Sequence, residues 1–349
     1  MLNNLLTFPY ELVVCSRLWL YTHGWLKSKR LPRPVVSVGN LTVGGTGKTP
    51  MTMWVAQFLA ARGKQVAILS RGYRRNSREK FLLVSNGEDI LVGPTEAGDE
   101  PFLMASRCPG VIVAVGADRY RLGLWVLAEH SVDCFVLDDG FQHLTLERDV
   151  NLLLVDVSDI DGMQSLLPIG RLREPLSGAQ RATEIIFTRV ENPEEMKPAR
   201  QALEAAAVGG ARFPIATRFD ALRLTCGNDA MTHDPSWLEG KRVLIFSGVA
   251  NALSFRHLVE RLGGQVVDEL RFSDHVTYTP ETLRQIQARA EQARAEVRVT
   301  TEKDLVKVKL LWTYSEPVWA VSLGVRFLDG QDKLEAQLRR IEGFSCSVN

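Results

Sequence analysis

The chain has 349 residues, of which 45% are hydrophobic and 24% charged, and its formal net charge is +1. This composition is ordinary for a globular protein with a sizeable core, and the length favours two domains. The near-zero net charge argues against general nucleic-acid binding. Five scattered cysteines predict a reducing compartment and neither a disulfide framework nor a zinc site. Nothing in the sequence indicates an obligate protein partner.

An apolar first segment, residues 1–30, is rich in leucine and aromatic side chains and ends in a basic flank that includes Lys27 and Lys29. It has neither a basic start nor a small-residue cleavage site, so a signal peptide is not indicated. No stretch reaches the roughly 20 apolar residues that span a bilayer. Two interpretations stay open: a helix buried against the main domain, or an interfacial helix whose flank faces anionic lipid.

A glycine-rich loop follows a short apolar strand that ends at Gly39, and Lys48 with Thr49 then opens a helix. Such a loop turns backbone N–H groups toward one point at a helix N-terminus, which favours bound phosphate. In this motif the lysine reaches the β- and γ-phosphates and the hydroxyl ligates Mg²⁺. The full motif has a glycine in place of Thr42, but its core is intact. The predicted nucleotide-binding residues are Thr42, Val43, Gly44, Gly45, Thr46, Gly47, Lys48 and Thr49.

Apolar, β-branched runs recur along the chain with helical patterns between them. They are continuous rather than alternating, as expected for strands buried on both faces of a parallel sheet. The alternation with helices predicts a doubly wound α/β sheet of the P-loop NTPase type. In the first part of the chain the runs are 66–69, 111–115, 134–137, 152–155 and 185–187.

Basic residues follow one of these strands, in the segment 70–75. Arginine beyond the carboxyl end of a strand, near a phosphate loop, is well placed to hold phosphate oxygens. An anionic substrate in addition to the nucleotide is therefore expected. The arginines considered are Arg71, Arg119, Arg171 and Arg173.

An acidic pair, Asp99 and Glu100, precedes Pro101. Asp at a helix start with Pro in the first turn is what helix capping alone produces. A general base that takes a proton from an attacking hydroxyl would also be an acidic residue here. The residues alone leave both interpretations open.

A second acidic pair, Asp138 and Asp139, directly follows the strand at 134–137. Carboxylates at this point of a phosphate-loop fold hold Mg²⁺, directly or through water. A plain strand-ending turn is the simpler alternative. Because the glycine-rich loop is present, the sequence favours the metal site.

The strand pattern weakens between residues 213 and 240, where a small hairpin is predicted, and a second strand series then begins at Val243. We therefore predict four regions: the apolar segment 1–30, a P-loop core at 31–212, a hairpin linker at 213–240 and a smaller α/β domain at 241–349. In the last of these, Asp274 and His275 follow a strand. They are either an inconsequential loop pair or a proton-transfer partner facing the nucleotide.

Taken together, these segments resemble the tetraacyldisaccharide 4′-kinase family of lipid A biosynthesis, over nearly the whole chain. One glycine-rich loop would be weak evidence, but several motifs in order, with matching spacing, are specific. The matching segments are 38–42, 44–50, 70–73, 98–101, 138–143, 172–175, 273–275 and 301–304.

The resemblance implies a kinase that moves the γ-phosphate of ATP, with Mg²⁺, to the 4′-hydroxyl of a tetraacylated glucosamine disaccharide 1-phosphate, giving lipid IVA. It also implies two α/β/α domains joined by a two-stranded hairpin. The expected location is peripheral, on the cytoplasmic face of the bacterial inner membrane, with the N-terminal helix helping to dock. This favours the interfacial interpretation of residues 1–30.

The resemblance also implies roles for individual residues. Asp99 would be the general base at the 4′-hydroxyl, with His275 as its partner, and Lys48 would stabilise phosphate charge. Mg²⁺ would be positioned by Thr49, Asp138 and Asp139. Contacts to substrate or nucleotide would come from Arg71, Arg119, Arg173 and Glu174.

An alternative class has similar shortened phosphate loops: membrane-associated ATPases that act as dimeric switches. Those proteins carry a second lysine near the start of the loop, where this chain has Val43, and they have no need of a second domain. ATP turnover that depends on an added glycolipid would separate a kinase from such a switch.

Overall fold

The computed structural model describes residues 2–73, 75–206, 215–227, 231–249, 251–274 and 276–342. Its helices are α1 (Leu2–Thr22), α2 (Lys48–Ala60), α3 (Pro94–Ala97), α4 (Asp99–Arg107), α5 (Arg119–Glu129), α6 (Met196–Ala205), α7 (Ala252–Arg261), α8 (Pro280–Gln292), α9 (Glu302–Val308) and α10 (Gln331–Glu342). Its strands are β1 (Val35–Asn40), β2 (Val66–Ser70), β3 (Leu82–Asn86), β4 (Ile112–Val115), β5 (Cys134–Asp138), β6 (Val150–Asp156), β7 (Glu184–Thr188), β8 (Ile215–Cys226), β9 (Thr232–His233), β10 (Arg242–Ser247), β11 (Gln265–Arg271), β12 (Val297–Thr301) and β13 (Val318–Asp329).

Within these residues the strands form one sheet in the order β11–β10–β12–β13–β8–β7–β6–β1–β5–β2–β4–β3, with β9 beside β8. Neighbours are parallel except for three pairs: β3 with β4, β8 with β9 and β8 with β13. The predicted α/β class with a mainly parallel sheet is confirmed.

The strands β1, β2, β5 and β6 are buried along their whole length because helices cover both faces of this part of the sheet. Along β1, Val36 and Val38 pack in one core cluster with Met51 of α2, whereas Val35 packs in a second cluster with Leu122 of α5. Successive side chains of a strand point to opposite faces, so each strand serves two cores. This explains the continuous runs in the sequence.

The sheet has a first half, β3–β4–β2–β5–β1–β6–β7–β8, and a second half, β13–β12–β10–β11. The two halves meet at the long antiparallel pair of β8 and β13, which extends from Trp319 opposite Cys226 to Asp329 opposite Ala216. The predicted linker region contains the small pairing of β8 with β9, but the second strand of the long pair comes from much later in the chain. After β13, Leu334 and Leu338 of α10 pack in the core of the first half. The domain bounds at 212/213 and 240/241 stay a prediction.

Helix α1 has apolar side chains on two sides. Tyr10 and Leu18 line a large cleft that the glycine-rich loop also lines, while Leu12 and Trp19 are more than half exposed. Among the described helices, none is both long enough and apolar enough to cross a bilayer.

Candidate active site

The phosphate loop connects β1 to α2, and two of its glycines have backbone angles that favour glycine. Gly44 has φ +120°, and Gly47, which precedes the first residue of α2, has φ +86°. The side chain of Lys48 folds back, its Nζ donating to the Gly44 carbonyl at 3.2 Å. The loop therefore directs an ammonium and the N-terminus of α2 toward the same space, which is an arrangement suited to phosphate.

Two arginines that the sequence did not single out as loop contacts hold this loop from outside. Arg171 donates to the Val43 carbonyl through Nε at 3.1 Å and Nη2 at 2.8 Å. Arg189 donates to the Gly45 carbonyl at 2.6 Å and pairs with Asp156, also at 2.6 Å. Both contacts are between main chain and side chain and far apart in sequence, so no local pattern identifies them.

Replacing Gly47 by alanine is expected to destabilise the loop. A Cβ there would lie 1.9 Å from Cζ of Phe219, and the residue would keep a positive φ. We expect the free energy of unfolding to fall by about 1–3 kcal/mol. Gly45→Ala is the matched control, since its Cβ would meet no atom of the described residues within 4 Å. Equal losses from the two variants in chemical denaturation would contradict this account.

Asp138 ends β5, next to β1, and is buried beneath the loop. It accepts hydrogen bonds from Ser70 Oγ at 3.0 Å and Thr52 Oγ1 at 3.3 Å. Burial, followed by the negative charges of Glu100 and Asp139, raises its pKa to about 7. A carboxylate held this way favours either a proton or a nearby cation.

Asp139 differs from its neighbour because cations surround it. Arg173 Nη1 lies 3.0 and 2.9 Å from its two oxygens, and Lys48 Nζ lies 3.8 Å from Oδ1. Burial acts to raise the pKa of Asp139, but Lys48 and Arg173 outweigh burial, so the pKa is lowered. The pKa values of the two adjacent carboxylates are thus shifted in opposite directions.

The shifted pKa of Asp138 predicts a pH dependence of stability in metal-free protein. The folded state holds this proton up to about pH 7, whereas the unfolded chain loses it near the ordinary value of 3.8. Protonated Asp138 therefore contributes its full share to the free energy of unfolding below about pH 4. As the pH rises toward 7, the free energy of unfolding falls by on the order of 4 kcal/mol. Asp138→Asn removes the group. Subtracting its unfolding free energy from that of the wild type should give this falling curve, and a flat difference would contradict it.

The segment after β6 brings Arg173 and Glu174 to the same site. Glu174 is buried and accepts hydrogen bonds from Gln142 Nε2 at 2.8 Å and Arg181 Nη2 at 2.6 Å. The carbonyl of Arg173 accepts a hydrogen bond from the Tyr10 hydroxyl of α1 at 2.8 Å. Glu174 thus fixes the loop that carries Arg173, and its predicted substrate contact stays a prediction.

Two further predicted arginines lie in different environments. Arg71 follows β2, is exposed and lines the cleft. Arg119, the first residue of α5, is only 5% exposed, and among the described residues its Nε has no hydrogen-bond partner. Burial, reinforced by the charge of Arg71, lowers the pKa of Arg119 to about 10. A buried guanidinium beside a second arginine favours an anion nearby.

Asp99 is the first residue of α4, and Gly98 takes the cap position before it. Its Oδ2 lies 3.2 Å from Nζ of Lys307, which belongs to α9 in the second half of the sheet. Glu100, the next residue, lines the cleft and lies 3.7 Å from Lys303. The predicted partner His275 lies outside the described residues.

One cleft of about 1490 Å³ collects most of these elements; Glu100 is among its lining residues, whereas Asp99 and Arg119 are not. Its walls come from α1, the phosphate loop, the Asp138–Asp139 pair, the Arg173 loop and the second half of the sheet. Binding sites for single small ligands commonly occupy 300–1,000 Å³, so this cleft has room for a nucleotide and part of a second substrate.

A strand that runs through a glycine-rich loop into a helix, with acidic residues ending the neighbouring strand, defines the P-loop class of nucleotide-binding proteins. A sequence model of the family described as tetraacyldisaccharide-1-P 4′-kinase matches residues 2–342. The chain belongs to this family.

Relatives of the chain carry the same description. The tetraacyldisaccharide 4′-kinase of Pelobacter propionicus is 42% identical over 299 residues, covering 86% of this chain and 80% of the relative. That of Aquifex aeolicus is 38% identical over 344 residues, covering 97% and 98%. The crystal structure of Aquifex aeolicus LpxK in complex with ATP has a TM-score of 0.78 and 36% identity, covering 98% of this chain and 99% of the other. The predicted enzyme class, a kinase of lipid A biosynthesis, is confirmed.

Proposed function

We propose that the chain transfers the γ-phosphate of ATP to the 4′-hydroxyl of tetraacyldisaccharide 1-phosphate, giving lipid IVA, with the residues described above in specific roles. The observation that carries this proposal is that the phosphate loop, the Asp138–Asp139 pair and α1 line one cleft. A hydrophilic nucleotide site and an apolar helix thus share one space. A glycolipid with a phosphorylated sugar head needs both.

ATP is assigned to the loop of residues 42–49. Backbone N–H groups at the start of α2 would face its phosphates, and Lys48 would stabilise the charge that develops during transfer. The contact of Lys48 with Gly44 and Asp139 supports this assignment, because it places the ammonium over the loop.

Mg²⁺ is assigned to Thr49, Asp138 and Asp139. Among the described residues no cluster of three or more His, Cys, Asp or Glu side chains forms a complete metal cage. Mg²⁺ needs none, since it commonly takes one or two carboxylates and fills its remaining positions with phosphate oxygens and water. The raised pKa of Asp138 supports a nearby cation, which would keep that carboxylate ionised. When bound, Mg²⁺ would neutralise charge on the phosphates.

Asp99 is assigned as the general base at the 4′-hydroxyl, with His275 as its partner. In a loose phosphoryl-transfer transition state the chief task is to orient the hydroxyl in line with the phosphate. Arg71 and Arg119 are assigned to anionic groups of the substrates, in keeping with their charge and position. Arg173 and Glu174 are assigned to contacts at the nucleotide side, where Arg173 already pairs with Asp139.

The proposed two-domain arrangement needs no closing motion to bring the second half to Asp99. A closing motion would be expected if only the sequence were considered, because Asp99 and its proposed partner His275 belong to different predicted domains. Here Lys307 of the second half already lies 3.2 Å from Asp99. The contact between α9 and Asp99 is therefore already formed in this structure.

We further propose that the protein docks peripherally on the cytoplasmic face of the inner membrane through α1. The side chains Phe8, Leu12 and Trp19 support this, because they are more than half exposed and are not among the residues that line the cleft. Lys27 and Lys29 follow directly and would face anionic headgroups.

Leu12→Glu is expected to weaken binding to vesicles that contain anionic lipid. Burying a leucine contributes about 1.5–3 kcal/mol, so its loss predicts a decrease of roughly tenfold or more in the partition coefficient, measured by sedimentation. Leu310→Glu, the same change at an exposed leucine of the second half, is the control and should leave partitioning unchanged. Equal effects of the two variants would remove α1 as the docking element.

The proposed activity is tested by ADP release with and without tetraacyldisaccharide 1-phosphate in detergent micelles. A kinase gives ADP release that depends on the glycolipid and is proportional to protein concentration. Release that ignores the glycolipid and rises more steeply than protein concentration would instead indicate the dimeric switch.

A further inference from the structure

The ammonium of Lys307 is surrounded by acceptors from three parts of the chain. Its Nζ donates to the Val276 carbonyl at 3.1 Å and lies 3.2 Å from Asp99 Oδ2 and 3.5 Å from Asp304 Oδ1. The Val276 carbonyl accepts a hydrogen bond from this ammonium, and the two carboxylates pair with its charge, although Asp304 Oδ1 accepts no hydrogen bond within the described residues. The ring of Tyr278 lies 5.5 Å away, and the lysine side chain is only 14% exposed. Lys307 is therefore a fixed charge rather than a mobile surface lysine.

Asp304, in the same helix α9, helps to hold this lysine in place. It is fully buried, and its Oδ2 accepts hydrogen bonds from the Gly248 N–H at 3.0 Å and from Thr301 Oγ1 at 2.7 Å. The first turn of α9 is thus tied to the loop after β10. Because a buried carboxylate needs a compensating charge, Asp304 holds Lys307 in place.

The contact with Asp99 is part of a regular interface between α4 and α9. Arg107, at the far end of α4, pairs with both oxygens of Glu302 at 2.5 and 2.6 Å. Lys307, at the opposite end of α9, meets Asp99 at the start of α4. The two helices therefore run antiparallel with an ion pair at each end, and the position of Asp99 is defined by the second half of the sheet.

We propose that Lys307 is a positioning residue for the phosphoryl transfer, holding the Asp99 carboxylate in the orientation in which it accepts the proton of the 4′-hydroxyl. The inference rests on the proposed role of Asp99. By holding Oδ2, the lysine limits rotation of the Asp99 carboxylate about its Cβ–Cγ bond. It also couples the base to the half of the sheet that forms the opposite wall of the cleft.

The experiment compares K307Q, K307R and D99N, alone and combined, in glycolipid phosphorylation and in ATP binding by calorimetry. Misplacing a catalytic group by about an ångström costs about 10²-fold, so we expect kcat of K307Q to fall by about 10- to 100-fold. The dissociation constant for ATP should not change, since the polar partners of Lys307 are Asp99, Val276 and Asp304. K307R keeps the charge and should recover most of the rate.

The double variant D99N/K307Q separates positioning from structural support. If Lys307 acts through Asp99, the double variant is no slower than D99N alone. Losses that multiply, or a K307Q enzyme with wild-type kcat, would overturn the inference. When D99N is slow and K307Q is not, only the role of Lys307 fails. When D99N itself keeps the wild-type rate, both this inference and the proposed base fail.

Two further variants address folding. R107Q breaks the ion pair at the other end of the α4–α9 interface and should lower thermal stability while leaving kcat unchanged. A similar loss of kcat in R107Q would show that general loosening of the interface, not Lys307, is responsible. If K307Q does not fold because Asp304 loses its partner, D304N/K307Q replaces both buried charges by amides and is tested in its place.

Discussion

Replacing Asp99 by asparagine is expected to lower kcat for phosphorylation of the glycolipid by about 10²- to 10⁴-fold. The amide keeps the shape of the side chain but does not take up the proton of the attacking hydroxyl. Asp99 pairs with Lys307 of α9, so the affinity for ATP should stay the same. Rates measured with labelled ATP and saturating glycolipid, together with calorimetry of ATP binding, test both statements.

Glu100→Gln is the matched control for Asp99→Asn. Glu100 lies in the same helical turn and faces a lysine of the same helix α9, Lys303 at 3.7 Å. Glu100→Gln should therefore change the charge in the first turn of α4 in the same way as Asp99→Asn, but with a much smaller loss of kcat. Equal rates for D99N and the wild type would return Asp99 to a purely structural role at the start of α4.

Lys48→Met is the second change with a large expected effect. It removes the charge that lies over the phosphate loop, 3.2 Å from the Gly44 carbonyl. Loss of one preorganised donor to a developing negative charge costs about 10²- to 10³-fold in kcat. ATP binding should also weaken, in contrast to D99N, because the lysine faces the ground-state phosphates as well.

Lys64→Met, just beyond the other end of α2, provides the control for Lys48→Met. It removes the same charge from the protein without touching the loop. A K48M enzyme that keeps its ATP affinity and its kcat would contradict the assignment of the loop as the nucleotide site.

The sequence was sufficient for the features that depend on local pattern. Continuous apolar runs predict strands covered on both faces, and β1, β2 and β5 lie where those runs are. The loop and the Asp138–Asp139 pair follow because a glycine-rich loop that runs into Lys48 and Thr49, together with carboxylates after another strand, is a specific combination. β3 does not follow from this pattern, since it pairs antiparallel with β4 at the edge of the sheet and is not part of a βαβ unit.

The features that the sequence did not predict are contacts between distant segments. Strand β13 pairs with β8 across about a hundred residues, and α10 packs in the core of the first half. Neither contact could be predicted, because the sequence of a strand does not indicate which other strand it pairs with. Lys307 is one of three lysines in and directly after α9, and only the fold brings it to Asp99. Arg171 and Arg189 bind main-chain carbonyls, for which composition gives no signal.

The N-terminal helix illustrates a different limit. Its apolar residues do not form one stripe, so periodicity favoured neither burial nor an interface. In the structure Leu18 faces the cleft and Leu12 faces outward. A helix used on two sides has no single apolar face, which is why the pattern alone was ambiguous.

The central claim is tested most directly by incubating the protein with Mg²⁺ and ATP labelled at the γ-phosphate, together with tetraacyldisaccharide 1-phosphate, and locating the label by phosphorus NMR and mass spectrometry. We expect one labelled phosphate on the 4′-oxygen of the disaccharide, formed only when both substrates are present. Label found solely as inorganic phosphate, with unmodified glycolipid recovered, would contradict the account.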